Sequence, residues 1–149
     1  MATNRVLTTR QMGGIRHIYI EVFGTTTTES ITLPANTQPI AVHKTHLQNT
    51  SNVPTHTLRV DTGALALAAL EAAATVVSAT TAGSPVVTSA ALFTAAMVGK
   101  AISGTGIPDF TYIVSLTDTS TIGISKSATV TGAPTLTLGT HLMVIVETL

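Results

Sequence analysis

Apolar and polar residues alternate in several short stretches of the chain, and the clearest of these is IRHIYIEV at residues 15–22. Ile18, Ile20 and Val22 share one face of an extended segment, and the residues between them share the other. A period of two residues is typical of a strand that buries one face. The pattern therefore predicts a strand over residues 15–22.

Similar stretches recur along the chain, separated by glycine, proline, asparagine and serine residues that are typical of turns. Further strands are predicted at residues 30–35, 39–47, 55–61, 84–88, 110–117, 121–126, 134–138 and 141–149, with a turn cluster at residues 49–54. Short strands at this spacing predict a mainly all-β fold, an antiparallel β-sandwich or jelly-roll-like domain.

Two segments do not follow this pattern. Residues 63–76, GALALAALEAAATV, are rich in alanine and leucine, which favour helix, and Asp61 or Thr62 could cap it. The same leucines could alternate in a strand, but we expect one short helix here. Residues 1–14 are polar and end in two glycines, which predicts an N-terminal arm.

The amino-acid composition of the chain changes at Val76. Residues 76–138 hold only four charged side chains, and glycine, serine, threonine and alanine fill most other positions. The last segment, HLMVIVETL, is more similar to the N-terminal half than to this middle part. We therefore expect a β-sandwich domain formed by residues 15–75 plus 139–149, with residues 76–138 inserted as a small β-rich module.

Composition limits the chemistry that is open to the chain. Its 149 residues carry a net charge of zero, only 9% are charged, 3% are aromatic, and cysteine is absent. Disulfides and thiolate chemistry are therefore excluded, and no basic surplus exists to neutralise nucleic-acid phosphates. A core of small side chains buries little apolar area per residue. We therefore expect a homo-oligomer that buries further surface between subunits.

No membrane association or secretion is expected from the sequence. The N-terminal arginines are not followed by the apolar stretch of a signal peptide. The longest apolar run, residues 64–74, is interrupted by Glu71 and is shorter than the roughly 20 residues that span a bilayer. The expected place of synthesis and assembly is a cytoplasm.

A specific motif lies in the middle segment. It reads FTAAMVGKAISGTGIP at residues 93–108, followed by Thr111, Ile113 and Ser115, and then by SKSAT at residues 125–129. This pattern, over residues 81–138, resembles a module common in structural proteins of tailed bacteriophages, including tail fibres and head fibres. The resemblance implies a virion protein, but the module occurs in many parts of such particles.

The same motif also has a plain structural explanation. Gly104 and Gly106 bracket a tight turn in which a side chain would be strained, and Pro108 closes it. We interpret these residues and Gly99 as structural turn positions rather than ligand contacts. The sequence departs from the family pattern at Asp109, Phe110 and Tyr112, where the family has smaller residues. These three positions are candidate interface residues.

Two apparent nucleotide-binding motifs in the sequence are incomplete. A phosphate-binding loop ending at Gly99-Lys100 needs a glycine where Thr94 stands and a serine or threonine where Ala101 stands. A dinucleotide fingerprint that starts at Gly104 would need its third glycine at Asp109. No cofactor is expected.

The sequence evidence for a catalytic or metal-binding site is equally weak. The five histidines are interpreted as polar-face or interface residues, with a metal on a symmetry axis as the alternative: His17, His43, His46, His56 and His141. Four carboxylates are candidates for acid–base chemistry by their existence alone: Glu21, Glu29, Asp61 and Glu71. No Gly-x-Ser-x-Gly nucleophile motif occurs. We expect no catalytic residues, no bound metal and no enzymatic activity.

These observations lead to one expected function and one alternative. The expected function is a capsid decoration or minor capsid protein that stabilises the shell and contacts itself, as a trimer, and other virion proteins such as the major capsid protein. The chain starts at Met1 and has no long shaft repeat, which favours this role over a fibre. The alternative is a receptor- or glycan-binding tip domain of a tail or head fibre, with its site near residues 109–112.

Overall fold

The fold is given by a computed structural model. It describes residues 4–24, 28–33, 39–46, 57–61, 64–68, 74–90 and 93–148. The predicted turn at residues 49–54, His56 and Glu71 lie outside the described residues, as do the side chains of Glu29, His46 and Asp61.

Nearly all of the regular secondary structure in the described residues is strand. In chain order the strands are β1 Asn4–Met12, β2 Ile15–Gly24, β3 Thr28–Thr32, β4 Pro39–His46, β5 Thr57–Asp61, β6 Ala64–Ala68, β7 Ala74–Val77, β8 Ala79–Thr80, β9 Val86–Thr88, β10 Ala101–Ser103, β11 Thr111–Asp118, β12 Thr121–Ile124 and β13 Thr135–Thr148. The described helical structure is a single 3-10 turn at Ala95–Met97. The predicted all-β fold class is confirmed.

The described strands form two sheets in which all pairing is antiparallel. The larger sheet has the order β1-β2-β13-β10-β11-β12-β9-β8, and β4 and β7 also pair with β13. The smaller sheet has the order β3-β6-β5. Whether these sheets make a sandwich or jelly roll stays a prediction.

β13 is the strand on which the larger sheet is organised. Its first part, near Leu138, pairs with both β7 and β10. Its second part, from Leu142 to Thr148, pairs with both β2 and β4. Most of the strand is therefore hydrogen-bonded on both edges. The two strands predicted at 134–138 and 141–149 are one continuous strand, because Gly139 pairs with Ala101 instead of ending the ladder.

Two separate hydrophobic cores lie along β13. The first core is made of side chains from β2, β3, the residue after β3 and the second part of β13, with Val42 packed against it: Ile18, Ile20, Val22, Ile31, Leu33, Leu142, Val144 and Val146. The second core is made of side chains from residues 76–138: Val76, Val87, Phe93, Ile102, Ile107, Ile113, Ile122, Ile124, Ala128, Leu136 and Leu138. The two sets have no member in common, but both include residues of β13.

Two local predictions are wrong. The short helix expected over residues 63–76 is replaced by β6 and β7 in its described parts. β6 pairs with β3 on one edge and β5 on the other, and these two ladders outweigh the helix propensity of alanine. The N-terminal arm is, from Asn4 onward, a strand paired with β2 through the Gly13-Gly14 turn.

The expected division into a β-sandwich domain and an inserted module stays a prediction. The residues of the first core come from both sides of residues 76–138 in sequence, and those of the second core come from within this range. For clarity, we call strands β1, β2, β4 and residues 140–148 the N-terminal sheet, and residues 76–138 the middle segment.

Candidate functional site

The alternation of buried and exposed residues breaks where the two cores meet. In β13 every residue from Leu138 to Leu142 is buried, and in β2 every residue from Ile20 to Gly24 is buried. These stretches pair with each other, with His141 opposite Phe23. A strand buried at successive positions is covered on both faces. The first core covers one face here, and residues of the middle segment cover the other.

Two rings of the middle segment, Phe110 and Tyr112, pack against two rings of the N-terminal sheet, Phe23 and His141. His141 stacks on Phe23 at a centroid distance of 4.5 Å and on Tyr112 at 4.9 Å. Phe110 meets Phe23 edge to face at 5.5 Å. Since Phe23 and His141 belong to the N-terminal sheet and Phe110 and Tyr112 to the middle segment, the ring contacts join the two parts of the molecule.

A chain of polar contacts runs through the same rings. Arg5 Nε donates to Glu21 Oε2 at 2.7 Å. The other carboxylate oxygen of Glu21, Oε1, lies 2.8 Å from His141 Nε2. The opposite ring nitrogen, His141 Nδ1, lies 2.8 Å from the carbonyl oxygen of Gly99. We call Arg5, Glu21, Phe23, Phe110, Tyr112 and His141 the junction cluster.

Burial makes these polar contacts necessary. The His141 and Glu21 side chains are 4% and 8% exposed, whereas that of Arg5 is 38% exposed. A buried charge without partners is strongly destabilising, so the pairing of Glu21 at both oxygens offsets the cost of its burial. The arrangement can therefore hold the N-terminal sheet and the middle segment together, and its outer end at Arg5 reaches solvent.

Phe110 is held in a strained conformation at this cluster. Its φ is +58°, and it is the one described residue other than glycine with a positive φ. A left-handed conformation costs a non-glycine residue about 1–2 kcal/mol. This cost is offset by the contact of the Phe110 ring with Phe23 and by two cations near the ring. Arg5 lies 4.9 Å and Lys126 lies 5.6 Å from the ring centroid.

The residues predicted as structural turns lie at tight backbone positions. Gly99, Gly104 and Gly106 have φ values of +87°, +146° and +77°. A Cβ on Gly104 would lie 2.7 Å from Leu136 Cδ2, and a Cβ on Gly106 would lie 2.8 Å from Val130 Cβ. The carbonyl of Pro108 accepts a hydrogen bond from Thr111 Oγ1 at 2.6 Å.

The residues predicted as an interface behave differently from one another. The rings of Phe110 and Tyr112 are half-buried and contact the N-terminal sheet of the same chain. Asp109 is exposed, and its carbonyl accepts a hydrogen bond from Lys126 Nζ at 2.5 Å. The bulk of the two rings is thus used within the chain, and a contact of Asp109 with a partner stays a prediction.

The other histidines and carboxylates of the described part do not gather at one place. His43 Nε2 lies 3.2 Å from Glu147 Oε1 at an exposed position, and His17 is half-buried on β2. Within the described residues, no group of three or more histidine, aspartate and glutamate side chains could hold a metal ion. In the same part of the chain, no helix is long and apolar enough to cross a membrane.

An open cleft of about 620 Å³ lies between β7 and the segment after β9. Its lining is made of small residues: Thr75, Val76, Val77, Ser78, Ala79, Thr88, Ser89, Ala90 and Ala133. None of these side chains is an acid, a base or an activated nucleophile, so the cleft offers no evident chemistry.

Sequence reasoning did not find the junction cluster as a unit. It placed Glu21 among carboxylates of no specified role and His141 among polar-face histidines. Local alternation places both residues on the polar faces of their strands, and it does not reveal that these positions pair across 120 residues of sequence.

Comparison of the chain with protein-family models, curated proteins and solved structures finds no match.

Proposed function

We propose that this protein is a non-enzymatic structural component of a bacteriophage particle, and within that class a capsid decoration or minor capsid protein that stabilises the shell. The observation that carries the proposal is the resemblance of residues 81–138 to a module of tailed-phage structural proteins, centred on the Gly99 to Pro108 motif. The proposed mechanism is passive: binding to assembled shells adds interface area that must be broken before the shell opens.

The exposed edge of the N-terminal sheet supports association with another chain. Among the described strands, β1 stands at one end of the larger sheet. Val6, Leu7 and Met12 on this strand are 50%, 45% and 61% exposed. An edge strand offers unpaired backbone groups to another chain, and exposed apolar side chains add contact area.

The low charge of the chain supports the same proposal. With only 9% charged residues and a net charge of zero, little electrostatic repulsion opposes the approach of a second copy. The proposed assembly is a homotrimer, which suits the local three-fold positions of an icosahedral shell by analogy. The proposed location is the virion.

The first test is the native mass of the purified protein by light scattering after gel filtration. The proposal expects a species of three times the chain mass of 15.3 kDa. A monomer that also fails to sediment with shells of the virus that encodes it would contradict the proposal. A monomer that binds glycans would instead favour the receptor-binding tip.

Paired variants sharpen the shell-binding test. Leu7→Ser and Met12→Ser remove exposed apolar contacts from β1, and Val114→Ser and Val130→Ser do the same on the middle segment, where the valines are 47% and 46% exposed. We expect the β1 variants to weaken co-sedimentation with shells and the matched controls to leave it unchanged. Equal behaviour of both pairs would exclude β1 as the contact surface.

A further inference from the structure

The strands of the middle segment pair with one another in a closed ring. β13 pairs with β10, and the order then runs through β11, β12 and β9 to β8. β7 and β8 are separated by Ser78 alone and form one extended segment, residues 74–80. The N–H groups of Ser78 and Thr80 donate to the carbonyls of Pro134 and Gly132, in the register that β7 has with β13. The segment therefore returns to β13 and closes the ring.

This ring has a gap beside β7. β8 and β9 share two paired positions, Ala79–Thr88 and Thr80–Val87. Beyond Thr88 no described strand lies next to β7 on that edge, since β13 is its partner on the other edge. The open cleft of about 620 Å³ lies at this gap, and we call it the β7 cleft.

The hydrogen bonds of the ladder show which backbone groups of β7 face the cleft. In an antiparallel ladder, residues that bond to the partner strand alternate with residues whose N–H and C=O point to the opposite edge. Because Ser78 and Thr80 bond toward residues 132–134, the backbone groups of Thr75 and Val77 point away from β13.

One of these outward groups already has a substitute partner. The Ser89 hydroxyl donates to the Val77 carbonyl at 2.6 Å, where a neighbouring strand would place a backbone N–H. Within the described residues, the Val77 N–H and the backbone groups of Thr75 have no strand beside them. An edge of this kind is able to accept one further strand.

The lining of the β7 cleft defines the chemistry of such a strand. Val77 is 66% exposed, the largest value among the exposed large hydrophobic residues of the described chain. Ala79, Ala90 and Ala133 are small and allow a second backbone to approach closely. None of the nine lining residues is charged. A charged side chain in the cleft would lose water without gaining an opposite charge, so the cleft fits uncharged, apolar side chains.

We propose that the β7 cleft binds an extended, uncharged segment of another protein as an added β-strand. The backbone of this segment continues the ladder that β9 leaves after Thr88 and bonds to Val77 N–H and to Thr75. Its apolar side chains cover Val77. Strand addition at an open sheet edge is a recurring mode of peptide recognition. The exposed strand β1 of a second copy carries Arg5 and Arg10 and does not match the uncharged lining. This inference does not depend on the role in a virus particle.

Backbone amide hydrogen exchange of the intact protein, read residue by residue by NMR, tests the free edge. The amides of Val76 and Ser78 point toward β13 and should be protected. The amides of Thr75 and Val77 should exchange at least about ten-fold faster, because they point into the cleft. Equal protection of all four amides overturns the inference. This readout needs no variant.

A synthetic peptide tests whether the cleft accepts a strand. The probe is TVTVT with both ends capped, and the matched control is the capped peptide TETET, which carries charge. We expect TVTVT at millimolar concentration to slow the exchange of the Thr75 and Val77 amides and TETET to leave it unchanged. An absence of slowing with TVTVT, or equal slowing with both peptides, overturns the inference. Slowing that rises with protein concentration without peptide also overturns it, in favour of pairing between two copies.

Two substitutions at one position separate backbone recognition from simple apolar contact. Val77→Pro removes the outward N–H, and proline is tolerated at a strand edge whose N–H does not bond within the sheet. Val77→Thr keeps the N–H and the branched shape of the side chain. We expect Val77→Pro to bind TVTVT roughly five-fold more weakly than Val77→Thr does, because one backbone hydrogen bond is lost. Equal affinities overturn the added strand, and if Val77→Pro does not fold, the exchange measurements on the wild type decide.

Discussion

The N-terminal sheet and the middle segment both pair their strands antiparallel, but their ladders differ in length. In the N-terminal sheet, β2 and β13 share a ladder of nine paired positions, from Gly24–Thr140 to Arg16–Thr148. In the middle segment, β8, β9 and β10 have two or three residues each. There, side-chain hydroxyls add hydrogen bonds to backbone carbonyls. The Ser89 hydroxyl donates to the Val77 carbonyl, and the Thr80 hydroxyl donates to the Val130 carbonyl.

Long ladders and short ones therefore depend on different residues. A long ladder needs apolar side chains at every second position and tolerates changes between them. A set of short strands needs specific glycines and hydroxyls at its corners. Substitutions in the two parts should therefore fail for different physical reasons.

The largest effects are expected from cavities in the two cores. Leu142 in the first core and Leu136 in the second are both fully buried. Leu142→Ala and Leu136→Ala should each lower the free energy of unfolding by about 2–5 kcal/mol. Denaturant unfolding measures the loss.

The same pair of variants tests whether the cores unfold together. The chain has two tyrosines and no tryptophan, and Tyr19 and Tyr112 lie in different parts of it. Tyr112→Phe leaves a fluorescent reporter in the N-terminal sheet, and Tyr19→Phe leaves one in the middle segment. Because β13 belongs to both cores, we expect the two reporters to give coincident transitions; separate midpoints in the Leu136→Ala background would show that the cores are independent.

Glycine substitutions separate backbone strain from steric overlap in the middle segment. Gly104→Ala combines a positive φ with an overlap of its Cβ with Leu136 and should cost roughly 2–4 kcal/mol. Gly83→Ala has the positive φ alone, in open space, and should cost about 1–2 kcal/mol. Gly132→Ala has neither and should stay within about 0.5 kcal/mol of wild type. Thermal unfolding ranks the three, and a different order would refute the assignment of the turn.

The junction cluster is probed from its solvent-facing end by Arg5. Arg5→Ala leaves the carboxylate of Glu21 with one partner fewer and should destabilise the fold by roughly 1–3 kcal/mol. Arg10→Ala is the matched control on the same strand, where the guanidinium lies 6.0 Å from the Tyr19 ring and should contribute less than about 1 kcal/mol. If the two variants unfold at the same denaturant concentration, the contact of Arg5 with Glu21 contributes no more to the stability of the fold than the exposed contact of Arg10 does.

The smallest effect is expected at the β11–β12 turn. The hydroxyl and backbone N–H of Ser120 both donate to Asp118, and these bonds hold the pKa of the carboxyl below its ordinary value. The stabilisation is present above the ordinary aspartate pKa and is lost as the pH falls through the lowered one. Asp118→Ala should be slightly less stable than wild type at neutral pH, and the difference should vanish in strong acid, as measured by denaturant midpoints. A difference that persists in acid would rule out the charge as its cause.

Much of the strand content could be predicted from local patterns, and the errors have physical causes. The alternation in residues 15–22 predicted β2 because that strand buries one face for most of its length. Residues 64–68 were misassigned because pairing with two other strands is invisible in local composition. The local pattern predicts a boundary at Gly139 because nothing nearby shows that Ala101 pairs with it.

The junction cluster lay beyond sequence reasoning for a related reason. Local pattern places Glu21 and His141 on the polar face of their strands, which is correct for an isolated sheet. That face is covered by residues from a different part of the chain, because Tyr112 stacks on His141 and Phe110 contacts the neighbouring Phe23. Departure from the pattern of the resembled module marked those two aromatic residues as unusual but gave no indication of which surface they contact.

The position of β13 in the chain also bears on how the protein is made. β2 and β4 pair with β13 and, among the described strands, not with each other, and the same holds for β7 and β10. A nascent chain that emerges from its N-terminus therefore exposes these strand edges until residues 135–148 leave the ribosome. Pairing of His17 with Glu147 closes a loop of more than a hundred residues. High contact order of this kind slows folding, and open edges recruit neighbouring chains in the meantime.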